Sequence, residues 1–445
     1  MKNLGRYDAI VVGARVAGSI TAAALAQRGW KVLVVDKATF PSTTLSTHLF
    51  FSDTLRILRN VGLLDPVLAI DAPRLRVLRF PYVVAAFPLH DGFDYALCIR
   101  REVLDTLLVE QLRVRPGITV LTGATVKQLL WSHGRVSGVE VVRADQRWVA
   151  HAPLVVGADG RASTVARAVD ARIEEHVPPL FAWYYTYFAD VPHSRDPSAA
   201  AFRSDFPELG AEYAAAFLFP CDGGLTLVGF GVEHRAFAAF RTDVRRHFVQ
   251  GLQRIPAVQE QLLCGRPIAG IRGTGHLPNF LRQASGPGWA LVGDAGCHKD
   301  PHTVQGIGDA ARSAWILAQE LATVDPQSAS LDEALARYAV RRDEELRPMF
   351  DFTTFRLRRR VPESVWERFE ARTREDPRLA ALRVAAMVHA IHPRQIYTPE
   401  RIEAVAAGCP LDWLDANAHE AEDPLMDRPR KPNTSIASGS LRRYH

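Results

Sequence analysis

The 445-residue chain is predicted to be an α/β protein with a Rossmann-like domain, an interleaved antiparallel-sheet domain and a helical C-terminal region. Three observations predict this. The chain opens in the order strand, glycine turn, helix, strand, acid; strand-like aromatic runs fill its middle; and beyond Pro301 it is mostly helical to about Gly408. A composition of 47% hydrophobic and 23% charged residues is enough for a buried core and excludes disorder of the whole chain.

The opening strand is Tyr7 to Val12, YDAIVV, which stops directly at Gly13. GARVAGSITAAALAQRG, Gly13 to Gly29, follows with alanine-rich helix-forming content and a terminating glycine. Lys31 to Val35 is a second β-branched run, closed by Asp36. Such a unit seats a pyrophosphate over a helix N-terminus. Arg101 to Arg113 spaces apolar residues at helical intervals, and Leu154 to Val156 is a buried strand running into GADG. FAWYYTYFADV, EYAAAFLFP and GGLTLVGFGVE, between Phe181 and Glu233, are separated by turn residues and form an antiparallel sheet. Thr242 to Ile255 is a helix, and Ala290 to Val292 a strand that enters GDAG.

These elements divide the chain into a discontinuous nucleotide-binding domain at 5–72, 98–178 and 278–330, and a sheet domain at 73–97 and 179–277. A helical region at 331–415 and a polar, loosely docked or disordered tail at 416–445 complete it.

The net charge of +5 and pI near 9.0 invite an acidic partner. The arginines, however, are spread along the chain beside carboxylates, with no basic and aromatic stripe, so no nucleic acid is expected. The densest run, Arg356 to Arg360, reads as a solvated helix face. Five scattered cysteines make neither a disulfide framework nor a zinc site, which points to a reducing, cytoplasmic setting. No apolar run is long enough to span a membrane and no signal peptide opens the chain, so no membrane partner is expected. No metal site is expected either, because the histidines lack matching ligand spacing.

Three segments carry the chemistry. In Gly13-x-Arg15-x-x-Gly18 the middle glycine of the dinucleotide fingerprint has become arginine, which brings positive charge toward phosphate; Asp36, 23 positions after Gly13, is placed to accept both ribose hydroxyls. VVGADGRASTVAR, Val155 to Arg167, is a strand ending in Asp159-Gly160 with a helix capped by Ser163. In ALVGDAGCHKDPHTVQGIGDAARSAW a strand stops at Gly293-Asp294, and Pro301 begins a loop holding Gly306 and Gly308 ahead of an alanine-rich helix. Asp294 can accept from a polyol hydroxyl, and the helix N-terminus can stabilise an anionic ring.

Together these segments resemble the FAD-binding fingerprints of the group A flavoprotein monooxygenases, the p-hydroxybenzoate hydroxylase family, whose fold is shared by flavin-dependent halogenases and geranylgeranyl reductases. Gly13, Gly18 and Asp36 match the dinucleotide fingerprint, Asp159 and Gly160 the DG motif, and Gly293, Asp294 and Pro301 the GD-x6-P motif. The resemblance covers roughly residues 5 to 330 and departs from the pattern at Arg15 and at the spacing of Arg167 from Ser163.

The resemblance implies FAD as cofactor, with Asp36 at the adenosine ribose, Asp294 at the ribityl chain, Arg101 near the phosphate and ribityl side, and Pro301 to Gly308 at the isoalloxazine rim. It also implies contacts from Arg15, Ala17, Lys37, Val126, Gly306 and Ile307. The implied activity is that of a monooxygenase of secondary metabolism that acts on a small apolar or aromatic molecule. NADPH or NADH would serve as transient reductant, and oxygen would be delivered through a flavin C4a-(hydro)peroxide. Candidate proton-managing residues are His48, His298 and Lys299, which flank the flavin in the family layout. Trp183, Tyr185, Tyr187, Phe217 and Phe219 are candidate pocket walls. The alternatives are a reductase of an isoprenoid or polyketide double bond and, behind it, a halogenase, whose Trp-x-Trp-x-x-Pro motif is missing here. The oligomeric state is left open.

Overall fold

The computed structural model describes residues 2–192 and 197–411. Its central sheet has six strands in the order Ser285–Gly286, Trp289–Leu291, Leu154–Gly157, Ala9–Val12, Val32–Asp36 and Ile118–Thr122. All neighbours pair in parallel except the first two. Leu154–Gly157, Ala9–Val12 and Val32–Asp36 are buried throughout and apolar but for the closing Asp36, as strands covered on both faces must be. The six strands, spread over residues 9 to 291, show how the chain leaves this layer and returns to it.

Helix Val16–Ala26 packs on this sheet with ten of its eleven residues buried. Its alanines and Gly18 permit the close approach, since a Cβ at position 18 would collide with the carbonyl of Gly13. Against it lies helix Gly306–Glu320, and one apolar cluster joins both to the sheet through Val11, Val34, Ala314 and Leu317.

The second sheet has eight strands, running from Arg266–Pro267 through Phe181–Ala189, Leu225–Glu233, Ala211–Cys221, Ser198–Phe206 and Val77–Phe80 to Val83–Ala86, with Arg272–Thr274 added beside Phe181–Ala189. It is antiparallel except where Ser198–Phe206 meets Val77–Phe80 in parallel. A parallel pair needs a long crossover, and here the two strands come from segments separated by the whole nucleotide-side excursion of the chain. Strand Ser198–Phe206, the hairpin at 77–86, and a separate four-stranded sheet of Lys2–Arg6, Gln146–His151, Arg135–Arg143 and Thr125–Ser132 were not among the elements expected.

Helices Ser330–Leu357, Glu363–Glu375, Pro377–Met387 and Pro399–Ala406 cover one face of the second sheet. Asp376 and Thr398 cap two of them by accepting from the backbone N–H groups of Arg378, Leu379 and Arg401. Among the described residues no helix is long and apolar enough to cross a membrane. The expected polar tail, 416–445, lies outside the described residues.

Candidate functional site

The glycine turn and the helix it opens form one end of the site. Gly13 sits at φ +106°, and a Cβ there would press closer than 3.0 Å to the Ala158 carbonyl, so only glycine lets the turn lie against the Ala158-Asp159 backbone. Asp36 is buried at the end of its strand and accepts from the N–H groups of Ala14 and Ala38, both at 2.7 Å. This holds the glycine turn against the second strand. Arg15, the residue in place of glycine, has no side-chain role as a helix cap. Its guanidinium instead donates to Asp105 at 2.5 Å and Ser42 at 3.1 Å. Asp105, with a fully buried side chain, also accepts twice from Arg101, at 3.0 and 2.9 Å. Two guanidiniums around one carboxylate leave one net positive charge beside an uncapped helix N-terminus. That combination suits a diphosphate.

The two remaining turns meet this end. Asp159 accepts from Ser163 Oγ at 2.5 Å and from the Thr164 N–H at 2.6 Å, while Ser163 caps helix Thr164–Ala168 by accepting from Ala166 at 2.9 Å. Burial pushes the Asp159 carboxyl above its ordinary range. Gly293 packs on Ala17 and donates to Ser313 Oγ at 2.9 Å, which ties the GD turn to both helices. The Asp294 carboxylate makes no hydrogen bond or ion pair among the described residues. Helix Gly306–Glu320 also starts without a side-chain cap, with Ile307 buried in its first turn and open space over Gly306. Lys37 is exposed and, with Ser42, Thr43 and Glu102, borders a polar hollow; Val126 is buried on strand Thr125–Ser132. A free carboxylate, two uncapped helix starts and a turn closed to side chains fit FAD as the group to be held.

Beyond Pro301 lies a cavity of about 120 Å³ between the second sheet and the C-terminal helices. Thr47 and Pro301–Val304 bound it on the nucleotide side, and Trp183, Phe217, Phe219, Phe352, Trp366 and Tyr397 supply much of its wall. Tyr185 and Tyr187 turn instead to His48.

His48 is buried at φ +62°, with its carbonyl accepting from Ile99. Its Nε2 stands 2.6 Å from the Tyr187 hydroxyl, and its Nδ1 is buried without a partner. Burial, then the charges of Arg101 and Arg100, lowers its pKa to about 3, so the ring is neutral at physiological pH. Burial also drives the Tyr187 phenol well above its ordinary value. His298 is buried, stacks on Phe280 and hydrogen-bonds the Pro278 carbonyl through Nδ1; burial lowers its pKa. Lys299 is paired with Asp309 in a buried network that continues through Arg312 to Asp53 and Glu345. Neither His298 nor Lys299 borders the cavity.

Several residues of this region were not singled out from sequence. Asp105 stands four positions after Arg101, a spacing that a helix converts into an ion pair and that could have flagged it. Asp300 is fully buried, accepts from Trp183 Nε1 at 3.0 Å and is pushed up to about 6 by burial. Tyr213 hydrogen-bonds His302 at 3.0 Å across 89 residues, which no local pattern announces. The expectation that Arg356 to Arg360 forms a solvated face is corrected in part. Arg358, Arg359 and Arg360, just past the end of the helix, are exposed, whereas Arg356, in its last turn, is buried at the cavity wall beside Glu370. Among the described residues no group of three His, Cys, Asp or Glu side chains assembles as a metal site.

Comparison with known proteins agrees with this geometry. Residues 6–204 match the family described as FAD binding domain. Digeranylgeranylglycerophospholipid reductase 1 of Methanopyrus kandleri is 27% identical over 354 residues, covering 78% of this chain and 88% of the relative. The structure of the myxobacterial chondrochloren halogenase CndH is similar with a TM-score of 0.71 and 20% identity, over 87% of this chain and 98% of that one. The structure of pqsL from Pseudomonas aeruginosa, described as "a probable FAD-dependent monooxygenase", gives a TM-score of 0.61 at 19% identity, over 85% and 99%. At such identities the two structures establish a shared fold.

Proposed function

We propose, from the premise that this chain belongs to the FAD-dependent oxidoreductase superfamily, that it is an NAD(P)H-dependent monooxygenase acting on a small apolar or aromatic molecule. The observation that carries the reading is the aromatic-walled cavity lying directly against Pro301–Val304, beside the place the FAD fingerprints reserve for the reactive ring. Bound FAD supplies electron uptake from the nicotinamide and activation of O2.

The chain's own residues do the rest. The uncapped start of helix Val16–Ala26, with Arg15 and Arg101 locked through Asp105, holds the diphosphate. Asp36 has lone pairs left for ribose hydroxyls, and Asp294 holds the ribityl chain. The aromatic walls exclude water from the reacting centre. His48 and Tyr187 manage a proton: the neutral ring takes one at Nδ1 and gives its Nε2 proton to the phenol oxygen as that hydroxyl releases its own proton toward the substrate, so no charge persists in a dry site. His298, bonded to the Pro278 carbonyl, and Lys299, paired with Asp309, position the loop that leads to Pro301.

Purified FAD-loaded protein would be given NADPH or NADH, ¹⁸O₂ and a panel of one-ring aromatics. Product carrying one ¹⁸O atom is expected. The second reading, reduction of an isoprenoid double bond, is favoured by the reductase named among the relatives. It would replace the first if the panel stays unreacted and an alkene substrate gains two hydrogens without ¹⁸O.

A further inference from the structure

Arg356 differs from the other guanidiniums around the cavity. It is 8% exposed and lines the cavity wall, and its guanidinium makes no hydrogen bond among the described residues. The closest carboxylate oxygens are those of Glu370 at 3.7 Å and Glu363 at 3.8 Å, and the guanidinium lies 4.5 Å from the Trp366 ring centre. Arg203 on the same wall is already spent on the Tyr82 hydroxyl at 3.0 Å and Glu363 at 2.8 Å, and Arg383 donates to Thr373 at 2.8 Å, with its Nε buried and unpartnered. Burying a charged fork with its donors unmade is costly unless something supplies acceptors.

The local charge points to the supplier. Arg203, Arg356 and Arg383 face Glu363 and Glu370, and burial pushes Glu370 up to about 7. With Glu370 ionised the cluster keeps one positive charge, and with it neutral it keeps two. An anion is therefore favoured over a cation or a neutral tail. Two parallel acceptors match the guanidinium fork, which selects a carboxylate. The cavity, about 120 Å³, is close to the engineered cavity of about 150 Å³ that takes benzene, so the apolar body is about one ring.

We propose that Arg356 is the residue that selects the substrate, receiving the carboxylate of a one-ring apolar acid whose ring lies among Trp183, Phe217 and Trp366. This rests on the reading of the cavity as the substrate site of a flavoenzyme. The test uses the FAD-loaded protein without reductant, so it reads binding and leaves the oxygen-incorporation test independent.

The probes are 4-ethylbenzoate and its neutral counterpart 4-ethylbenzyl alcohol, followed by quenching of tryptophan emission and by calorimetry. The acid should bind at least about tenfold more tightly than the alcohol in the wild type, as expected of a charge-assisted pair. Arg356→Met should bring the acid down to the alcohol's affinity while changing the alcohol by no more than about twofold, and Arg356→Lys should recover part of the preference. Equal affinities for acid and alcohol in the wild type, preference retained in Arg356→Met, or binding of neither probe would each overturn the proposal. The wild-type and Arg356→Lys comparisons stand even if Arg356→Met does not fold.

Discussion

Replacing Gly13 by alanine tests the point where helix, strand and DG turn converge. The new methyl would approach the Ala158 carbonyl inside 3.0 Å at a backbone φ of +106°. Overpacking of this kind costs about 1–3 kcal/mol, and an L side chain at positive φ about 1–2 kcal/mol more, so about 2–5 kcal/mol in all. Relief must come from moving either the start of helix Val16–Ala26 or the Ala158-Asp159 turn, and both belong to the flavin cradle. If most of that cost falls on the cradle, FAD affinity drops by about 10- to 1000-fold, at about 1.4 kcal/mol per tenfold. The assay is the ratio of flavin to protein absorbance after purification, with a fluorescence titration of FAD into apoprotein and a melting curve. Gly306→Ala is the control: its methyl would meet nothing within 4 Å, so the fold should be unharmed or gain up to about 1 kcal/mol. Stoichiometric FAD, unchanged affinity and an unchanged melting temperature in Gly13→Ala would refute the reasoning.

Other outcomes follow from the same geometry. Asp294→Ala should lose FAD or flavin reactivity while remaining folded, and a variant with full FAD and normal turnover would sink that role. Lys299→Met would leave Asp309, Asp53 and Glu345 around Arg312 alone, a loss of about 3–5 kcal/mol in denaturant unfolding. Partial recovery in Lys299→Met/Asp309→Asn would tie the loss to charge, and wild-type stability in the single variant would refute the network. His48 and His302 are both lowered to about 3 by burial, so the stability they confer is complete above about pH 6.5 and is lost as pH falls toward 3. Each should cost about 2 kcal/mol at pH 5, and His48→Gln should flatten the acid limb of a melting-temperature profile. Glu370 has the opposite sign. It faces Arg356, Arg383, Arg203 and Glu363, its raised pKa makes its contribution complete below about 4.5, and that contribution is lost as pH rises through 7. Glu370→Gln should therefore be stabilised at pH 8 relative to pH 5 by up to about 3 kcal/mol, and equal effects at both pH values would count against the assignment.

The nucleotide-binding end was legible because its signals are local. A strand that stops at Gly13, a helix rich in alanine and an acid closing the next strand lie within about thirty residues, and each constrains the next through backbone geometry. The Ser163 cap lies within three residues of the N–H that it accepts from. The hairpins at 125–151 carry comparable alternation and turn signals, at His133-Gly134 among others. The pairing of Ser198–Phe206 with Val77–Phe80 had no such signal, since strand partners more than 100 residues apart are selected by the packing of the whole sheet.

By itself, then, the sequence determined the α/β layering and the turns that suit FAD, because chain geometry over a few residues decides them. Tertiary structure decided what the charged and titratable side chains do. His48 meets Tyr187 across 139 residues, Lys299 is neutralised by Asp309 in the core, and Arg356 leaves its exposed arginine neighbours to enter an aromatic cavity. Desolvation and partner charge set the state of each group, and both are supplied by residues that only the completed fold brings near.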